Sequence, residues 1–142
     1  MKDKYFIDTN IIVYAHDKTE INKKKISGEI IINGIKNDNI VLSTQVLNEF
    51  YVTVTKKIKQ TLRPVEAKKE IELLKCIELV EININLILKA IDISQKYILS
   101  YWDSLIISAA IRAKCSIIYS EDLNPGQKIE SVKVINPYKD KD

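Results

Sequence analysis

At 142 residues the chain is long enough for one domain with a substantial core, and 22 Lys and Arg against 19 Asp and Glu leave a net charge of only +3, a weak pull toward polyanions. One histidine, His16, and two distant cysteines, Cys76 and Cys115, argue against a His-based triad, a His-rich zinc site or a redox motif. Both thiols are expected to be buried. The longest apolar runs, around Ile30–Ile32 and Leu105–Ile111, fall far short of the ~20 residues that span a bilayer. The start MKDKYFIDTN has no cleavage-site pattern, so a cytoplasmic protein without a membrane segment is expected.

KYFID, residues 4–8, reads as a short strand ending at Asp8, and NIIVYAH from Asn10 takes helical spacing. An amphipathic helix follows over roughly Glu20 to Ile35, ending near Gly34 and Asn37. NIVLS, residues 39–43, is short, apolar and β-branched, which suits a buried parallel strand. Ser43 or Thr44 can cap the next helix, whose apolar Val46, Leu47, Phe50, Tyr51 and Val54 recur at helical intervals. Pro64 fits the first turn of another helix. LVEI (79–82) is a third strand, residues 85–97 and 103–114 are helices, and SIIYS (116–120) and VKVI (132–135) are the last strands. Alternating strands and helices make this an α/β domain around a mostly parallel sheet, spanning residues 1–142.

In such sheets ligands bind beyond the carboxyl ends of the strands. Asp8 closes the first strand, Asp122 stands just past the fourth, Glu49 lies in the opening turns of the helix after the second, and Asp103 heads its helix. Four carboxylates from four distant segments thus converge on one region, where each raises the others' pKa unless a cation neutralises them. Oxygen-only ligands select Mg²⁺ or Mn²⁺, and such ions can hold a phosphodiester and activate a water. Each acid also has a structural alternative. Asp8, Thr9 or Asn10 can cap a helix, Asp103 can close a capping box with Ser100, Glu49 can be an ordinary helix residue, and Asp122 or its neighbour Glu121 can belong to a turn. The lysine clusters at 23–25, at 56, 57 and 59 with Arg63, and at 68 and 69 read first as solvated helix faces.

FIDTN, NEF after the second strand, YWDSLIISAA and YSEDL with NPG, in that order over nearly the whole chain, resemble a PIN-domain ribonuclease of the VapC toxin type. The resemblance implies a PIN-like three-layer α/β/α sandwich and a Mg²⁺- or Mn²⁺-dependent endoribonuclease. It assigns Asp8 as first metal ligand, Glu49 as second acid, Asp103 as third and direct ligand, and Asp122 as a fourth acting through water. Asn10 and Ser120 match supporting positions. It also implies an RNA substrate, an antitoxin partner that covers the site, and a homodimer. Tyr97, Tyr101 and Trp102 are read first as helix-packing or dimer residues and second as platforms for bases. Two rivals stand beside it. One is an aspartyl-phosphate phosphatase with Asp8 as nucleophile, which would want an Asp where the chain has Asn10. The other is a module that binds metal or RNA without turnover.

Overall fold

The computed structural model describes residues 3–139, so both ends of the expected 1–142 domain lie outside the described residues. In chain order the elements are β1 (Tyr5–Ile7), α1 (Thr9–Ala15), α2 (Ile21–Asn37), β2 (Ile40–Ser43), α3 (Thr44–Lys56), α4 (Pro64–Leu74), β3 (Glu78–Val80), α5 (Ile84–Tyr97), α6 (Tyr101–Arg112), β4 (Ile117–Tyr119), β5 (Lys128–Ile129) and β6 (Val132–Ile135). The strands form one sheet in the order β3-β2-β1-β4-β6-β5, parallel throughout except where β5 pairs antiparallel with β6. β1 sits in the middle, with Phe6 paired to Val41 on one side and to Ile118 on the other.

The topology follows from connection handedness. From β1 the chain steps outward through α1 and α2 to β2 and through α3 and α4 to β3, then returns through α5 and α6 to β4 on the far side of β1. Right-handed crossovers in opposite directions put their helices on opposite faces, which makes the three-layer α/β/α fold. Accordingly α1 packs on α2 and α3, α3 packs on α4, and α5 and α6 pack together with α6 lying across β2, β4 and β6. The central strands are apolar on both faces, with Phe6, Ile7, Val41 and Ile118 fully buried, as a covered parallel sheet requires. α6 is the most enclosed helix: every residue from Ser104 to Ala110 is buried, and the Ser108 hydroxyl donates to the Leu86 carbonyl of α5 at 3.0 Å.

Helix starts are capped as their sequences direct. The Ser43 hydroxyl accepts from the Val46 N–H at 3.3 Å, the Asn83 side chain from Leu86 at 3.1 Å, and the Ser100 hydroxyl from Asp103 at 3.1 Å. The last of these starts α6 two residues earlier than expected. The cap is one-sided: among the described residues no bond returns from the Asp103 carboxylate to Ser100. β5 is an addition to the expected elements. The expectation of two buried thiols is corrected, because Cys115 is buried but Cys76, in the turn after α4, is exposed. Among the described residues no helix is long and apolar enough to cross a membrane.

Gly34 marks the closest approach of α2 to the sheet. A Cβ there would lie 2.0 Å from Ile40 Cγ2 and 2.9 Å from Ile40 Cβ, and Ile40 is buried in β2. Gly34→Ala should therefore lower stability by about 1–3 kcal/mol through overpacking, measured by denaturant unfolding. Adding Ile40→Ala should make the two changes less costly together than their sum. Additive losses would show that the contact does not limit the packing.

Candidate active site

The chain reverses its direction of travel across the sheet at β1 and β4, and the crevice of an open parallel sheet lies where that happens, beyond the strand carboxyl ends. Asp8 follows β1 directly and Ser120 follows β4 directly, so the two face each other across this crevice. Asp8 is the N-cap of α1 in extended backbone, and its Oδ1 accepts from the Thr9 N–H at 2.7 Å. Its Oδ2 accepts from the Ser120 hydroxyl at 2.7 Å. The Ser120 oxygen itself accepts from the backbone N–H groups of Asp122 and Leu123 at 3.2 and 3.3 Å, which leaves its single proton for Asp8. Asp8 is 7 % exposed and Ser120 is fully buried, so the arrangement is enclosed by protein.

Glu49 comes from the second turn of α3 and is held at both oxygens. Oε1 accepts from the Thr9 hydroxyl at 2.6 Å, and Oε2 accepts from the Gln45 amide at 3.1 Å. The same Gln45 nitrogen donates to the Trp102 carbonyl at 3.1 Å, tying α3 to the first turn of α6. Gln45 Oε1 is buried without a partner, and turning the amide over would set it against two acceptors, so the neighbours fix its orientation. Asn10 donates to Asp122 Oδ2 at 3.0 Å and accepts from the Glu121 N–H at 3.4 Å. Asn10, Glu49 and Asp122 line one cavity of about 870 Å³ together with Trp102 and Leu105 of α6. Asp103, beside Trp102, is half-buried in the first turn of α6. Among the described residues no hydrogen bond or ion pair joins its side chain to the other three acids.

Burial pushes the Asp8 carboxyl up from its ordinary 3.8 to about 6. The Ser120 and Thr9 hydrogen bonds oppose that rise, and the charges of Glu49 and Asp122 add to it. Lys23, close to the cavity wall, is engaged by Glu121. Lys23 donates to Glu121 Oε2 at 2.5 Å and lies 4.7 Å from the centre of the Tyr14 ring, while the Tyr14 hydroxyl donates to Glu121 Oε1 at 2.6 Å. Burial pushes Glu121 up as well, but these two partners outweigh it and hold the carboxyl below its usual range. With both oxygens taken, Glu121 is a strut of the cavity wall, and Asp122 is the acid that faces Asn10.

The PIN domain profile matches residues 5–128. The chain belongs to the PIN domain family. Its fold is similar to that of a chain in a toxin–antitoxin complex from Klebsiella pneumoniae, at a TM-score of 0.69 and 14% identity over 95% of this chain and 98% of that one. It is also similar to DNA-bound VapBC from Salmonella typhimurium, with TM-score 0.68 and 15% identity over 94% and 97% of the two chains. A third likeness is to Mycobacterium tuberculosis VapC20, a sarcin–ricin loop cleaving toxin, with TM-score 0.64 and 16% identity over 84% and 90%. At these identities the likeness is one of fold. No curated protein sequence matches the chain significantly.

In this PIN domain, Asp8, Glu49 and Asp122 are brought together, and Asn10 and Ser120 touch the acids directly. Thr9 and Gln45 also belong to the site, although sequence patterns did not single them out. Their only signals are position: Thr9 follows the strand-end acid, and Gln45 stands one helical turn before Glu49, where a Gln and an acid can pair. The donor set suits a hard divalent cation in its chemistry, being all oxygen around a buried acid that has no cationic partner among the described residues. The oxygens do not form a ready-made cage: among the described residues no three His, Cys, Asp or Glu side chains are grouped closely enough to hold a metal ion. As they stand, the neutral neighbours Thr9, Asn10, Gln45 and Ser120 hydrogen-bond both oxygens of Asp8 and of Glu49 and one oxygen of Asp122.

Because the folded-state value of Asp8 is raised, its ionised form destabilises the fold. That penalty is complete above about pH 6 and fades as pH falls toward 3.8. In chelator, the unfolding free energy of wild type relative to Asp8→Asn should therefore rise by about 1–1.5 kcal/mol between pH 8 and pH 5. Denaturant titrations at several pH values measure this, and a difference that does not vary with pH would contradict the buried, ionisable assignment.

Proposed function

We propose that this PIN domain is a Mg²⁺- or Mn²⁺-dependent endoribonuclease, the toxin of a toxin–antitoxin pair, and that Asp8, Glu49, Asp103 and Asp122 hold the metal. The observation that carries it is the buried Asp8 carboxylate at the sheet's switch point, repelled by Glu49 and Asp122 and paired with no cation among the described residues. A bound divalent ion would supply the missing positive charge and the polarisation of a phosphodiester and a water needed for hydrolysis.

The chain's own residues do the rest. Ser120 and the Thr9 backbone aim the two oxygens of Asp8, and Thr9 and Gln45 fix Glu49. Asn10 steadies Asp122. The N-terminus of α6 favours the negative charge of Asp103 in its first turn. Lys57, exposed at the cavity's edge, is available to the phosphate backbone of a bound RNA, a contribution that weakens as salt rises. An antitoxin partner, a homodimer and a cytoplasmic location complete the proposal. The antitoxin is supported by the likeness to the Klebsiella pneumoniae toxin–antitoxin complex and to VapBC from Salmonella typhimurium.

The phosphatase alternative fares less well on this geometry. Both Asp8 oxygens already accept hydrogen bonds in an enclosed site, and residue 10 is an Asn bonded to Asp122 rather than a second acid. A binding module without turnover is separated from a nuclease by experiment. Asp103→Asn should keep the fold and lower Mn²⁺-dependent RNA cleavage roughly 100-fold or more, the scale of losing a charge that acts on the transition state. Full activity in that variant would remove Asp103 from the mechanism. Mn²⁺ binding by calorimetry, with no cleavage of any RNA by wild type, would favour the module.

A further inference from the structure

We propose that the Trp102 side of the cavity is a subsite for an unpaired nucleobase next to the scissile phosphate. This rests on the nuclease proposal above. Trp102 is the chain's only tryptophan and is 62 % exposed, although the seven residues that follow Asp103 in α6 are all buried. Its indole stands on a fixed mount. Gln45 holds its backbone carbonyl, and its ring meets Tyr101 edge to face at 5.1 Å and 72°, with Tyr101 packed against the core. A flat aromatic face is thus presented at the wall of the cavity, one residue from Asp103.

The chemistry of the lining suits a base. The lining carries the acids Glu49 and Asp122 and the cation Lys57, and beside them the uncharged Thr44, Ile82, Leu105 and Trp102. Asn48, exposed on α3 and lining the same cavity, makes no side-chain hydrogen bond among the described residues, so its amide has both donor and acceptor free. An aromatic plane and a free amide lining one cavity match the π-face and hydrogen-bonding edge of a base. In a duplex the π-face and pairing edge are both occupied, so the subsite selects single-stranded RNA.

The test uses full-length Asp103→Asn protein, which binds without cutting, and a fluorescein-labelled oligoribonucleotide read by anisotropy in parallel with Trp102 emission. Single-stranded RNA should change the Trp102 emission saturably, at the concentrations where anisotropy rises. The same strand annealed to its complement should not. In the same background Trp102→Ala should weaken single-strand binding roughly 10-fold or more, with Trp102→Phe retaining most of it. Asn48→Ala should alter the ranking of the four homopolymers. RNA binding with unchanged Trp102 emission, or unweakened binding by Trp102→Ala, would overturn the subsite and leave this wall to a protein segment, with the nuclease proposal intact. Single-strand-specific changes in Trp102 emission, together with no Mn²⁺-dependent cleavage by wild type, would instead sink the nuclease proposal and keep the subsite.

Discussion

The hydrogen bond from Ser120 to Asp8 joins the ends of β1 and β4, and the site is organised around it. A carboxylate at the edge of a fully covered parallel sheet is costly to ionise, and here three features keep it in place. It caps α1, it receives the one proton that Ser120 has to give, and its backbone N–H donates to the Tyr119 carbonyl at 3.0 Å. The strand pairing that makes β1 central therefore also fixes the acid. Removing Ser120 would free Asp8 and two backbone N–H groups at once.

Around this pair the fold recruits its other charges through neutral intermediaries. Thr9 reaches Glu49 across 40 residues, Asn10 reaches Asp122 across 112, and Gln45 reaches the first turn of α6 across 57. Neutral donors let acids approach one another without the charge cancellation that a lysine would bring. Lys23 is paired with Glu121 rather than with Asp8, Glu49 or Asp122.

The alternation of strands and helices was legible because parallel strands buried on both faces are short apolar runs, and KYFID and NIVLS carry that signature. β5 was not, since a two-residue strand has no periodicity to detect, and it pairs antiparallel just after the turn at Gly126, whose φ is +83°. Of the candidate site, Asp8, Glu49 and Asp122 with Asn10 and Ser120, which the structure brings together, are marked in the sequence by strand ends and motif resemblance. The long-range partners are not. Lys23 lies in a run of lysines that reads as a solvated face, yet it is half-buried against Glu121 98 residues away. Gln45 is one amide among several polar residues of an amphipathic helix. Charge pairing across the fold leaves no local pattern, whereas capping does, as the Ser100 to Asp103 spacing illustrates.

The central claim is that these carboxylates form a divalent-cation site. A crystal grown or soaked in Mn²⁺ and measured near the manganese absorption edge tests it most directly. An anomalous peak bounded by oxygens of Asp8 and Asp103, with Glu49 and Asp122 directed toward it, is expected. Crystals saturated with Mn²⁺ that show no peak in this crevice, or only peaks elsewhere on the surface, would contradict it.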